Sequence, residues 1–222
     1  IDLWVARWGM WLADLGQEHG LVGAQAVVET TPDTGTRLRQ EIQANLVEEA
    51  PEVARKVAGE VEMIYPSGTA SVQVYIALTY QAAPRLGAKR RAMEEFGADM
   101  ASRIPGLTAS LAGTGAGIVR PLTAGEVRRV VRTAYDPASQ ALFDAADLSG
   151  QTVDLSWAEC GPAGHDVLRD RYYHDSGVSM TWMMTQAPKG QVQSDLLARL
   201  LAPQKEIWRK RVALMYRPVD VA

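Results

Sequence analysis

The densest group of chemically reactive side chains lies between Glu159 and Ser176, and comprises Glu159, Cys160, His165, Asp166, Asp170, His174, Asp175 and Ser176. Histidine, carboxylate and hydroxyl together are the ingredients of a hydrolytic site, and cysteine with histidine are zinc ligands. The order argues against the first. His174, Asp175 and Ser176 are adjacent, whereas neighbours on an extended chain point to opposite sides and triad members come from separated segments. The spacing argues against the second, because Cys160, His165 and His174 lack the close ligand pairs of a structural zinc site and need a fourth ligand from elsewhere. The expectation is that no catalytic, cofactor-binding or metal-ligating residue lies here. Asp175, Ser176 and Gly177 then turn the chain into a strand, and His174 makes surface or capping hydrogen bonds.

Three other stretches invite a binding chemistry. Arg209, Lys210, Arg211 and Arg217, with Trp208 as a stacking residue, have the makings of a nucleic-acid contact, although charges on an exposed strand also serve to prevent edge-to-edge aggregation. Lys89, Arg90 and Arg91 are read as a solvated face beside Glu94 and Glu95. The run Gly113-Thr114-Gly115-Ala116-Gly117 leaves a helix and enters a strand, the reverse of a phosphate loop, and is read as a flexible turn.

These residues sit in a chain of 222 residues, 47% of them hydrophobic, enough for one sizeable domain or two small ones sharing a core. The single cysteine excludes an internal disulfide framework and favours a reducing compartment. A net charge of −3, from 23 basic and 26 acidic residues, gives no whole-chain attraction to nucleic acid or anionic lipid. No run of about 18 apolar residues and no signal peptide is present. The start at Ile1 reads as a fragment of a longer protein.

Periodicity supplies the elements. Trp4, Trp8, Trp11, Leu12 and Leu15 share one face of a helix from Leu3 to Leu15 that stops near Gly20, and the three tryptophans are expected to be core. Leu21 to Thr30 is a strand. Leu38, Ile42 and Leu46 mark a helix, and Pro51 starts another bearing Val53, Val57, Val61 and Ile64. From Ser71 to Ala82, Val72, Val74, Ile76, Leu78 and Tyr80 alternate with more polar residues, giving a strand with one buried face that is taken as central. A helix with Met93, Phe96, Met100 and Ile104 is interrupted at Pro105, and Ile118 to Leu122 is a strand. Thr123 and Glu126 form a capping box for the helix up to Asp136-Pro137, followed by a short helix with Leu142 and Phe143. Val153, Leu155 and Trp157 read as a strand pairing in a broad hairpin with Val178, Met180, Trp182 and Met184. A helix over Val192 to Leu201 and a last strand through Val212, Leu214 and Tyr216 close the chain.

This order predicts an α+β fold. Residues 1–137 make a ferredoxin-like, split βαβ unit with helices mainly on one face and a helical insertion at 34–65, and residues 138–222 a C-terminal extension on the same core. The opening strand of such a unit is missing, so the C-terminal strand Lys210 to Arg217 is expected to join the main sheet.

Several motifs read together resemble one family: TTPDTG from Thr30, YPSG from Tyr65, PLTAGE from Pro121, AYDP from Ala134, HDSGVSMTW from His174, LLAP from Leu200 and RKRVALMYRP from Arg209. They resemble the soluble part of an actinobacterial membrane-protein family encoded beside a conjugation-type (type IV secretion-like) ATPase. The order of elements is similar, more distantly, to the membrane-anchored E component of type VII secretion. The resemblance implies a non-enzymatic module on the cytoplasmic side of the cell membrane, held by an N-terminal segment outside this chain. Its implied partners are secretion or conjugation ATPase or channel subunits, with a homo-oligomer also possible. It brings no site residue. The alternatives are a hydrolase or metal-dependent phosphodiesterase using residues 159–176, and a nucleic-acid-binding module using the C-terminal basic strand.

Overall fold

The computed structural model describes residues 2–33, 35–47, 49–64, 70–82, 89, 91–186, 189, 198–202, 204 and 206–219. The chain is α+β and divides into two compact units. The first holds Ile1–Val28, Val74–Pro121 and Arg211–Ala222, and the second Glu29–Gln73 and Leu122–Lys210.

In the first unit α1 (Asp2–Asp14) runs into a 3₁₀ turn (Leu15–Gln17), and Gly20, at φ 81°, takes the left-handed conformation that lets the chain reverse into β1 (Leu21–Pro32). β2 (Ala70–Tyr80) and β6 (Lys210–Tyr216) flank β1 in the order β2-β1-β6. Gln81 N donates to Gly20 O at 2.8 Å, so the end of β2 lies beside the start of β1 and the two run antiparallel. The core is apolar and aromatic: Trp11, Leu15, Leu21, Ala24 and Leu111 are buried, and Ile76, Leu78 and Tyr80 of β2 pack against them. Trp8 stacks on Trp11 with ring centroids 5.0 Å apart and meets Tyr216 edge-on. Leu107 and Leu111 come from α4 (Met93–Ala112).

Several expectations are corrected. β1 is the central strand, and β2 is at the edge of the sheet. Val72 and Val74 are exposed, so only the later half of the β2 alternation faces the core. Trp4 is 52% exposed, whereas Trp11 is 3% exposed, because the stripe meets the sheet only from its second turn. α4 runs through Pro105 without a break. A proline removes one N–H, and the helix continues because the apolar residues beyond it, Leu107 and Leu111, are held in the core. No strand forms over residues 118–122, and Ile118 is fully solvent-exposed. The C-terminal strand does join the main sheet, but beside β1 rather than on the far side of β2, since no strand at 118–122 leaves a gap there to fill. The sheet has three strands among the described residues, and the four-stranded ferredoxin-like pattern is not completed.

The second unit carries α2 (Thr36–Asn45), α3 (Glu52–Ile64), α5 (Ala124–Tyr135), α6 (Ser139–Leu148), α7 (Trp157–Cys160), the strands β3 (His165–Val167), β4 (Tyr172–His174) and β5 (Gly177–Ser179), and α8 (Ala198–Leu201). α5 starts on the expected capping box: Thr123 Oγ1 accepts from Glu126 N, and Glu126 accepts from Thr123 N at 2.8 Å. α6 is held against α5 by the bidentate Arg129–Asp147 pair, with Arg129 also 4.8 Å above the Phe143 ring. Residues 151–156 form no strand. Ser156 and Glu159 instead make a second capping box that opens α7, and Ser156 accordingly holds the Glu159 carboxyl below its ordinary value. The broad hairpin is replaced by a small antiparallel sheet in the order β3-β4-β5, and residues 180–185 form no strand. The predicted helix from Val192 is described only at α8, and Arg90 and the YPSG motif from Tyr65 lie outside the described residues.

Candidate functional site

The stretch from Glu159 to Ser176 folds as α7 and the β3-β4-β5 sheet, whose turn docks on the C-terminal end of α5. β4 and β5 are joined by Asp175 and Ser176 alone, with Asp175 at φ 38°, a left-handed conformation that aspartate tolerates better than most side chains. Gly177 stands opposite His174 in the ladder. A Cβ there would lie 2.8 Å from His174 Cε1 and 3.2 Å from Pro137 Cδ, so glycine is what lets the imidazole lie against this turn.

His174 is buried, with Tyr135 edge-on to its ring at 5.9 Å. Its Nδ1 contacts the carbonyl of Tyr135, which only accepts, so Nδ1 carries the hydrogen. In the neutral ring Nε2 then accepts from the Ser179 hydroxyl, 2.5 Å away. Asp175 Oδ1 accepts from the backbone N–H groups of Ala163 and Gly164 at 2.9 and 3.0 Å, and Oδ2 pairs with Arg132 at 2.9 Å. The Gly164 N–H foremost, and then the Arg132 charge, hold the Asp175 carboxyl below its ordinary value against the cost of burial. Arg132 also donates to Gly161 O at 2.8 Å and pairs with Asp136 at 2.8 Å, Ser176 donates to Asp136, and Ala138 N donates to Ser176 Oγ at 3.0 Å.

The three adjacent reactive residues are therefore brought to one place but directed to different partners. Ser176 faces Asp136 and His174 faces Ser179, so they form no nucleophile–base pair with each other. His165 is paired with His174 across the ladder yet is itself exposed, and Cys160 is buried with its thiol donating to Ser156 O at 3.3 Å. Asp170 is exposed and paired with Arg171, which lowers its carboxyl below the ordinary range. Among the described residues no three His, Cys, Asp or Glu side chains converge on a point that would hold a metal ion. A shallow depression is lined by Gly164, His165, Asp166, Tyr173, His174, Asp175 and Gly177, and Ser179 is not among them.

Sequence reasoning missed Arg132, Asp136 and Ser179, which lie outside the reactive stretch or at its margin. It also misplaced Arg209. Instead of an exposed charge, its side chain is 8% exposed, paired with Glu29 (5% exposed) at 3.3 Å and donating to Thr133 Oγ1 at 3.0 Å and Gln140 Oε1 at 3.3 Å. Lys210 donates to Ala202 O, and Trp208, Arg211 and Arg217 are exposed. The basic cluster is thus divided between a buried polar network and a surface. Arg91 pairs with Asp99 at 2.8 Å and lies 5.0 Å over Phe96, so it too is committed within the first unit. In that unit Arg103, and then Arg91, hold the Asp99 carboxyl low, and burial followed by the Glu18 charge pushes the Tyr80 phenol up.

An exposed apolar run of the second unit begins in β5 and continues beyond it: Val178, Met180, Trp182, Met183 and Met184 are all open to solvent, Trp182 at 79%. No helix among the described residues is long and apolar enough to cross a membrane. Comparison of the chain with protein-family models, with curated proteins and with solved structures returned no match.

Proposed function

We propose that this chain is a non-enzymatic assembly module of a membrane-anchored secretion or conjugation apparatus, acting on its cytoplasmic side through protein–protein contacts. The observation that carries the contact role is the run Val178 to Met184, where one tryptophan and three methionines are exposed in sequence. Aromatic residues and methionine are enriched at protein interfaces, and methionine adapts its shape to irregular partners. The family likeness supplies the setting, with the ATPase or a channel subunit as partner. The ferredoxin-like reading of the first unit rests on the order of its elements, with a sheet of three strands, β2-β1-β6, among the described residues. The test is a photo-crosslinking amino acid in place of Trp182 in the full-length protein in its native membrane. Adducts to an ATPase or channel subunit, identified by mass, are the expected result. Adducts to neither, while the protein remains membrane-bound and folded, would overturn the reading.

One observation favours a second reading. The contact between His174 Nε2 and Ser179 Oγ, with Nδ1 oriented by a carbonyl, has the first geometric requirement of an activated serine. A fluorophosphonate probe that labels Ser179, and fails to label the Ser179→Ala variant, would establish the hydrolase alternative.

A further inference from the structure

We propose that α3 is a dimerisation helix that packs antiparallel against α3 of a second copy of this chain. No residue of α3 is buried. Val53, Val57, Val61 and Ile64 fall at i, i+4, i+8 and i+11 along one stripe and are 73%, 52%, 38% and 74% exposed. The half-covered positions of the helix are Ala58, Gly59 and Glu62. At 100° per residue these lie away from the valine stripe, so α3 turns small and charged groups inward and its apolar face outward. That inverts the usual arrangement of a surface helix. A helix of 13 residues is marginal by itself in water and takes its stability from packing of an apolar face.

The charges say what that face takes. After Glu52, Arg55 and Lys56 occupy the N-terminal half, and Glu60 and Glu62 the C-terminal half. Glu52, in the first turn, suits the helix's own dipole and stands four residues before Lys56 in the better orientation, but Glu60 and Glu62 near the C-terminus oppose the dipole, and Lys56 four residues before Glu60 is the poorer orientation. An antiparallel copy reverses the penalty. A two-fold axis between Val57 and Val61 sets Val57 on the partner's Val61 and places the partner's Glu60 on the same flank as Lys56, about 3 Å along the axis from its level and within reach of a lysine side chain, with the two helix dipoles opposed. The contact is isologous, so each such pair occurs twice. A helix of this length spans about 20 Å, less than a standing interface of roughly 1,200–2,000 Å² requires, so the association is reversible.

Sedimentation of the chain from low to high micromolar concentration tests this. The expected result is a concentration-dependent passage from monomer to dimer, abolished by Val57→Glu and by Val61→Glu with circular dichroism and melting temperature unchanged. Leu142→Glu, at a comparably exposed apolar position on α6, leaves the association as it was. Lys56→Glu weakens it by about tenfold, and the exchanged variant Lys56→Glu/Glu60→Lys recovers it. A monomer at every concentration, a dimer that survives Val57→Glu, a failure of the exchanged variant to recover, or loss of folding in both stripe variants would each overturn the proposal. The last of these would mean that the stripe is covered within the chain.

Discussion

The two units bury different chemistry. In the first, the innermost residues are Trp11, Leu15, Leu21, Ala24 and Leu111, and the surrounding ring is aliphatic and aromatic. In the second, Phe143, Ala146 and Cys160 share the interior with Glu29, Thr30, Thr133, Ser139 and His174. One is held chiefly by removal of apolar surface from water, which is non-directional and tolerant of shape. The other depends on polar groups that are expensive to bury unless each meets a partner. The same strand serves both, since the early residues of β1 present leucine and alanine and its late residues present Glu29 and Thr30. Damage should therefore be graded in the first unit and conditional on partners in the second.

The largest effect should come from truncating the aromatic centre of the first unit. Trp11→Ala is expected to cost up to about 5 kcal/mol, because it removes a fully buried indole stacked on Trp8 and leaves a cavity. Trp4→Ala, at a half-exposed position of the same helix, should cost far less. Chemical denaturation of the two variants measures the difference, and equal losses would mean that the stripe is not divided as the packing indicates.

Next in size is the buried ion pair of the second unit. Arg209→Met should cost about 3 kcal/mol, since it leaves the Glu29 carboxylate in a nearly closed environment without its counter-charge. The double variant Glu29→Leu/Arg209→Met should recover most of that loss, because replacing both partners of a buried pair by apolar groups is often neutral. A double-mutant cycle by urea unfolding reads the coupling directly. Strict additivity would show that Arg209 acts through partners other than Glu29, such as Thr133 and Gln140, and would remove the main distinction between the units.

A smaller effect separates local from long-range information. Thr123→Ala should cost about 1 kcal/mol by deleting the α5 cap, with Thr123→Asn close to neutral. That cap was legible in the sequence because every participant lies within three residues. Ser156 and Glu159 have the same spacing, yet the alternation of Val153, Leu155 and Trp157 suggested a strand, and the cap's two hydrogen bonds prevail over a five-residue apolar pattern that has no neighbouring strand to pair with. The α1 stripe was legible for Trp11 and Leu15 because a period of 3.6 marks a core-facing side, but periodicity does not say where along the helix the core ends, and Trp4 lies beyond it. The Arg132, Asp136, Asp175 and Ser176 network and the Arg209, Glu29, Thr133 and Gln140 network join residues far apart in the chain. Only the Arg132–Asp136 pair, at i,i+4, has a spacing that announces it; the long-range pairings have none. The turn formers Asp175, Ser176 and Gly177 were recognisable, but not the carboxylate's role in fixing Ala163 and Gly164.

The smallest effect, and the most specific to the polar unit, is in its response to acid. The Asp175 carboxyl lies below its ordinary value of 3.8 because the Gly164 N–H, and then the Arg132 charge, favour its ionised form. A group whose value is lower folded than unfolded contributes stability that is fully present above the unfolded value and is lost as pH falls through the folded one. Asp175 should thus add nothing to the pH dependence near neutrality and should steepen the fall in melting temperature below about pH 4. Asp175→Asn keeps a residue that tolerates the left-handed backbone at φ 38° and can still accept from Ala163 and Gly164, while removing the charge. The variant should melt lower than the parent at neutral pH and approach it as the pH falls, with the two curves converging in the acid range. Glu159, Asp99 and Asp170 are also held low, so the variant retains part of the parent's acid sensitivity. Thermal melts followed by far-UV circular dichroism at a series of pH values measure the convergence. Parallel curves with a constant offset would show that the substitution acts through turn geometry and not through the charge that Arg132 faces.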